Sequence, residues 1–162
     1  MPFHNQTGDE LSLLGCNVQA LRIHKHYTLQ QLAQLSKYDR VCLSNLEKGI
    51  QNIKYKTVLK LSKALDISFP LLFSSNLGRD IGKTSFRPYF EDDFLLIFVV
   101  NFKRTMLKKR REHLYVYTQS GIQEAVISRI VSGAERNPTI FTLMAMTQAC
   151  STDLETMFTR NM

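Results

Sequence analysis

Apolar residues recur at helical spacing along most of this chain. Leu14, Val18 and Leu21 stand four and three positions apart, which is one face of a first helix. A polar break follows. Thr28, with Gln31 three residues on, has the form of a capping box opening a second helix. Asp39 is placed to cap a third helix, and Gly49 to end it. Lys56 to Ala64 gives a fourth, with Val58, Leu61 and Leu65 facing inward. Ser68 is expected to cap a last short turn leading to Leu71, Leu72 and Phe73. No segment alternates apolar and polar residues between turn signals, so the predicted class is all-α. Ile97, Val99 and Val100 form the one stretch where a strand could compete.

The pattern then repeats. Ser36 aligns with Ser120, Ser44 with Ser128 and Gly49 with Gly133, each 84 positions apart. One extra residue after Gly133 shifts the offset to 85, and Thr57 meets Thr142, Ala64 meets Ala149 and Phe73 meets Phe158. Apolar positions follow: Val58-Leu59 over Leu143-Met144, Leu61 over Met146, Leu65 over Cys150. Two modules are therefore expected, over 1–75 and 93–162, joined by a linker over 76–92. That join contains Gly78, Gly82, Ser85 and Pro88 and has no helical period before Phe94. Phe86, Tyr89, Phe90 and Phe94 make it more aromatic than a free linker requires, so they are expected to pack on a module and fix the geometry in part.

The first copy resembles the Cro/repressor-type helix-turn-helix proteins of the xenobiotic-response-element family. The residues that carry the likeness are Leu14-Gly15, Arg22, Thr28 through Ala33, Leu43-Ser44, Leu46 through Gly49 and Leu59 through Leu65. It departs at Lys37, where the tight turn usually has glycine, and at Ile53, where proline usually opens the next helix. The second copy resembles the same family from Ser120 to Phe158, and holds the Asn137-Pro138 that the first lacks. Its front half diverges: Glu112 replaces the capping hydroxyl, and Tyr117 the small alanine that lets two helices approach, so that contact is expected to widen. The resemblance implies two tandem lambda-repressor-like helix-turn-helix domains of about five helices each.

It also implies where DNA is read. In this family the third helix enters the major groove. Here it should run from about Arg40 to Glu47. Arg40 suits a bidentate contact to guanine, Asn45 to adenine and Val41 a thymine methyl, while Ser44 can reach a base or a phosphate. Leu43 and Leu46 face the core, and Glu47 is expected to hold the motif by a salt bridge. The second copy would present Gln123, Glu124, Ala125, Ser128 and Arg129. Gln123 can read adenine and Glu124 can accept from cytosine, or Glu124 marks lost DNA binding.

Charge adds a phosphate-contacting surface. The net charge is +7, with both modules basic and the join neutral. A positive balance favours polyanions, nucleic acid first. Lys103, Arg104, Lys108, Lys109, Arg110 and Arg111 place six cations within nine residues. They lie where backbone contacts are made in this motif, and the competing role is a solvated helix end. In the first copy the equivalents are Lys25, Gln30 and Gln31, with Lys48, Lys54 and Lys56 beyond the reading helix. Thr28 and Asp39, at the helix caps, complete the candidate DNA-binding set.

Other chemistry is poorly represented. His4, His24, His26 and His113 form no metal-ligand spacing, and His24 and His26 should point to different sides of a helix. There is no phosphate-binding glycine loop and no GxSxG nucleophile. Glu91-Asp92-Asp93 reads as linker surface or a helix start. No catalysis, metal, cofactor or small-molecule ligand is expected. No membrane association is expected either, since the apolar run from Phe94 to Val100 is far too short to span a bilayer. Cys16, Cys42 and Cys150 read as reduced, mostly buried thiols of a cytoplasmic protein.

The expected function is a sequence-specific double-stranded DNA-binding transcriptional regulator, a repressor by preference. Two uses of two modules stay open. Either both grip DNA from one chain, or one binds DNA while the other pairs chains into a homodimer. The apolar surplus of Tyr115, Val116, Tyr117, Met144, Met146 and Met157 leans toward an interface, and otherwise those residues are core. The competing class is a protein-interaction module, such as an antitoxin-like partner binder.

Overall fold

Capping chemistry sets the helix boundaries. The computed structural model describes residues 4–81, 93–110 and 113–160, and they are helical with no strand among them. α1 (His4–His24) buries Leu14, Val18 and Leu21. α2 (Leu29–Ser36) opens with the capping box: Thr28 Oγ1 accepts from the Gln31 N–H at 3.1 Å, and Gln31 Oε1 accepts from the Thr28 N–H at 2.8 Å. Lys37 ends it in the left-handed region at φ +51°, where glycine would be free of strain. Asp39 then opens α3 (Arg40–Glu47), its carboxylate accepting from the Cys42 N–H at 2.9 Å. α4 (Tyr55–Ala64) and a 3₁₀ turn over Phe69–Phe73 complete this set. Ser68 precedes that turn but makes no side-chain cap. Pro70 has no N–H to donate to a cap, and the Leu71 N–H donates to the Ser68 carbonyl instead.

After a four-residue helix, α5 (Leu77–Asp80), the same order returns. α6 (Phe94–Lys108), α7 (His113–Ser120), α8 (Glu124–Val131), α9 (Ile140–Ala149) and α10 (Leu154–Phe158) follow α1 to the 3₁₀ turn one for one. All eight positive-φ residues among those described fall into four pairs at the repeat offset. His26 pairs with Arg110, Lys37 with Gly121, Gly49 with Gly133, and Asp66 with Ser151. Two buried amides repeat as well. Asn17 Nδ2 donates to the carbonyls of Leu72 and Ser74, and Asn101 Nδ2 to those of Met157 and Thr159, all within 2.9–3.0 Å. Each ties the first helix of its set to the last turn.

The two sets meet through reciprocal contacts. The Tyr55 N–H donates to the Pro138 carbonyl at 2.9 Å, and the Ile140 N–H to the Ile53 carbonyl at 2.7 Å. The Lys56 N–H donates to Asn137 Oδ1 at 3.0 Å, and the Phe141 N–H to Asn52 Oδ1 at 3.2 Å. Lys54 and Thr139 form an antiparallel bridge between them. Residue i of one set touching j of the other, and the converse, is the pattern of two-fold-related units. The first N–H groups of α4 and α9, which a helix leaves without internal partners, are thus satisfied across the joint. Beneath it, Phe158 stacks on Phe73 at 5.5 Å and meets Phe69 edge-on at 4.7 Å, while Tyr55 lies 6.4 Å from Phe158. The Tyr55 hydroxyl also accepts from the Leu95 N–H. Both halves share this aromatic core.

Several expectations need correction. Ile97, Val99 and Val100 lie in α6, where Phe94, Phe98 and Phe102 keep helical spacing and bury one face. The 76–92 join is not free of helix: α5 lies within it and Leu77 is buried. Phe94 packs on Phe69 at 5.0 Å, as the aromatic content implied, whereas Phe86, Tyr89 and Phe90 lie outside the described residues. Asp93, the last of the acidic run, caps α6 through the Leu96 N–H. Val116, Met144, Met146 and Met157 are core rather than interface, and Tyr115 is half-buried. Tyr117 does not wedge between helices but turns outward, 41% exposed. Glu112 is outside the described residues. Only Cys150 of the three thiols is buried. α1 ends at His24, so His26 lies in the following turn at φ +58°.

Candidate nucleic-acid interface

The surface of α3 follows from what its other face buries. Leu43 and Leu46 are fully buried, so the positions between them must face out. Arg40 and Val41 are exposed, Val41 at 60%, and Ser44 and Asn45 are half-buried. Arg40, Val41, Ser44 and Asn45 thus share the outward face of a helix anchored by leucines. Thr28, Gln30, Gln31 and Asp39 are exposed at the N-terminal ends of α2 and α3, and Lys48 and Lys54 are exposed beyond α3. The hydrogen bond from the Cys42 N–H holds the Asp39 carboxyl below its ordinary range, so the cap stays ionised at neutral pH.

α3 is held from behind. Arg22 Nε and Nη2 donate to the two Glu47 oxygens at 2.6 and 2.9 Å, and Nη1 donates to the Tyr27 carbonyl. The bond to Glu47 raises the Arg22 pKa further above its ordinary value. Bidentate geometry of this kind fixes orientation as well as charge. α1 comes close at Gly15, where a Cβ would sit 2.1 Å from the Leu46 carbonyl oxygen. α3 therefore has little freedom to tilt. Glu47 plays the bracing part that its sequence position suggested.

α8 presents Glu124, Ala125, Ser128 and Arg129 to solvent over buried Ile127 and Ile130, with Gln123 exposed at its N-cap position. Gln123 supplies no side-chain cap, unlike Asp39. Arg129 is 3.8 Å from Glu135 and mostly exposed. The bracing differs: Met106 and Val131 stand where the first set has Arg22 and Glu47, and Val99 stands in the place of Gly15. A branched side chain in that place precludes the close approach that Gly15 allows, and α6 touches α8 much less than α1 touches α3.

The basic run at the end of α6 is only partly available. Lys103, Arg104, Lys108 and Arg110 are exposed, but the Lys109 ammonium donates to the Cys150 carbonyl at the end of α9. Arg111 lies outside the described residues. A second basic groove joins Lys56, already a candidate, to residues that the sequence did not single out. Lys56, Lys60 and Lys63 on α4 line a cavity of about 600 Å³ with Tyr55, Leu59, Leu95 and the ion-paired Arg136 and Asp93. Their i, i+4, i+7 spacing was the available signal. Asn52 and Asn137, the residues that join the halves, were also missed as a pair, although both are asparagine at the repeat offset.

Residues 18–72 match the family model described as Helix-turn-helix. That segment takes in the end of α1, all of α2, α3 and α4 and most of the 3₁₀ turn, so the geometry above is that of a helix-turn-helix domain. Such a domain implies DNA binding and transcriptional regulation. The match does not extend to α6–α10, where the polar bracing residues are replaced. No curated protein and no solved structure matches the chain. No described helix is long and apolar enough to cross a membrane.

Proposed function

We propose that this chain is a sequence-specific double-stranded DNA-binding transcriptional regulator that acts as a repressor by occupying an operator in the cytoplasm. The observation that carries the reading is α3 itself. It is braced by Arg22–Glu47 and Gly15, and it faces solvent with Arg40, Val41, Ser44 and Asn45. Arg40 donates in bidentate fashion to guanine, Asn45 pairs with adenine and Val41 packs on a thymine methyl. Lys25, Gln30, Gln31, Lys48 and Lys54 contact phosphates and set orientation.

α6–α10 form a second, divergent module of the same kind. The four matched left-handed turns and the matched amide clamps of Asn17 and Asn101 support that reading. Its exposed α8 supports a reading role over a purely pairing one, since Val116, Met144, Met146 and Met157, four of the six apolar residues that suggested pairing, are core. A homodimer would then be an assembly of two such double units on a longer operator.

Selection from a random duplex library with the full-length chain tests the function. An enriched motif containing guanine and adenine spaced for one helix is expected. Retention without enrichment, abolished by moderate salt, would leave only general polyanion affinity. A salt-resistant protein complex indifferent to DNA would put the partner-binding class in its place.

A further inference from the structure

Joined as they are, the two halves carry two reading surfaces in one fixed arrangement. We propose that one chain reads one bipartite, non-palindromic duplex site, with α3 on one half-site and α8 on the other, without a second copy. The inference rests on the DNA-binding reading above and goes beyond it in stoichiometry, site symmetry and the role of α8.

Three observations carry it. First, the contacts at the joint are reciprocal: 55 to 138 and 140 to 53, 56 to 137 and 141 to 52. A two-fold axis therefore relates the halves approximately, as it relates subunits of a symmetric dimer, and α3 and α8 are equivalents under it. Second, the groups at that axis are used up. The first N–H groups of α4 and α9 and the carbonyls of Ile53 and Pro138 are bonded within the chain, and Phe69, Phe73 and Phe158 fill the space behind them. A second copy cannot use the same surface. Third, the two outward faces differ. Arg40, Val41, Ser44 and Asn45 correspond to Glu124, Ala125, Ser128 and Arg129, and only the serine is shared.

Dimeric readers of this motif bind palindromes because their two reading helices are identical. Here the helices are not, so the two half-sites differ. The α3 half offers guanine to Arg40 and adenine to Asn45. The α8 half offers cytosine N4 to Glu124 and guanine to Arg129. Because the joint is hydrogen-bonded and packed rather than a flexible tether, the spacing between half-sites is fixed. Each half-site raises the effective concentration of the other reader.

The test uses the full chain and the duplex recovered by selection. Native mass spectrometry is expected to give one chain per duplex. Arg40→Ala should relax base preference in one half-site only, and Arg129→Ala in the other only. Inserting five base pairs between the halves should cost about a hundredfold in affinity, down to that of one half-site. A further five, restoring the helical face, should not recover it. A palindrome bound by two chains, or a motif unaffected by Arg129→Ala, would overturn the inference and leave the DNA-binding reading intact. No enriched duplex at all would overturn the reading itself.

Discussion

Asn137 caps α4 and Asn52 caps α9, each from the opposite half of the chain, at 3.0 and 3.2 Å. Lys54, at the N-cap position of α4, has no acceptor to cap with, so Asn137 is the side-chain cap there, whereas Thr139 at the matching position of α9 also accepts from the Thr142 N–H. Helix-capping side chains contribute about 1 kcal/mol. Asn137→Ala should lower unfolding stability by about that amount in urea titration, and Asn52→Ala should do the same. Asn76→Ala, at an exposed position where the side chain caps nothing, should be neutral.

The Arg22–Glu47 pair gives a different kind of prediction. Both side chains are largely buried, at 14% and 5% exposure, so removing either partner strands the other. Arg22→Met alone should cost about 3 kcal/mol, and Glu47→Val alone a similar amount. The double variant installs the residues found at the matching positions of the second half, Met106 and Val131. It should cost about 4 kcal/mol rather than the roughly 6 that independent losses would give, a coupling energy of about 2 kcal/mol in a double-mutant cycle.

Lys37 and Gly121 occupy matching left-handed positions, φ +51° and +70°. Lys37→Gly should relieve strain at the turn before α3 and raise stability by about 0.5 kcal/mol, after the entropic cost of glycine. Thermal unfolding reads the gain.

These pairs also show what the sequence made legible. The capping box at Thr28, the Asp39 cap, the Gly49 stop and the buried faces of α1 and α4 are local chemistry, and periodicity and spacing revealed them. The joint was not legible in this way. It depends on backbone groups of Ile53 and Pro138, which leave no side-chain pattern, and on two asparagines whose match at the repeat offset does not say that each reaches the other half. The outward residues of α3 followed from the positions of Leu43 and Leu46. The diversion of Lys109 to the Cys150 carbonyl did not, because a lysine in a basic run gives no sign of a partner forty-one residues away.

Glu10 supplies a pH dependence. It lies beside Asp153 and Glu155 at a small cavity, and one of its carboxylate oxygens is buried without a hydrogen-bond partner among the described residues. Burial, and then the Asp153 charge, push its pKa up to about 7 from an ordinary 4.5. The folded state therefore holds this proton more tightly than the unfolded chain. Stability is highest below pH 4.5 as far as this group is concerned, and falls as pH rises from there through about 7. Glu10→Gln should remove that slope and stabilise the protein at pH 8 by on the order of 1 kcal/mol, allowing for solvent screening. Denaturant midpoints at pH 5 and pH 8 measure it.

The reading helix is the centre of the account, and Arg40→Ala addresses it most directly. Fluorescence anisotropy with the selected duplex should show affinity falling by roughly 5- to 150-fold, with preference relaxed at one base pair and folding unchanged. Unchanged affinity and unchanged base preference would contradict the placement of α3 in the groove.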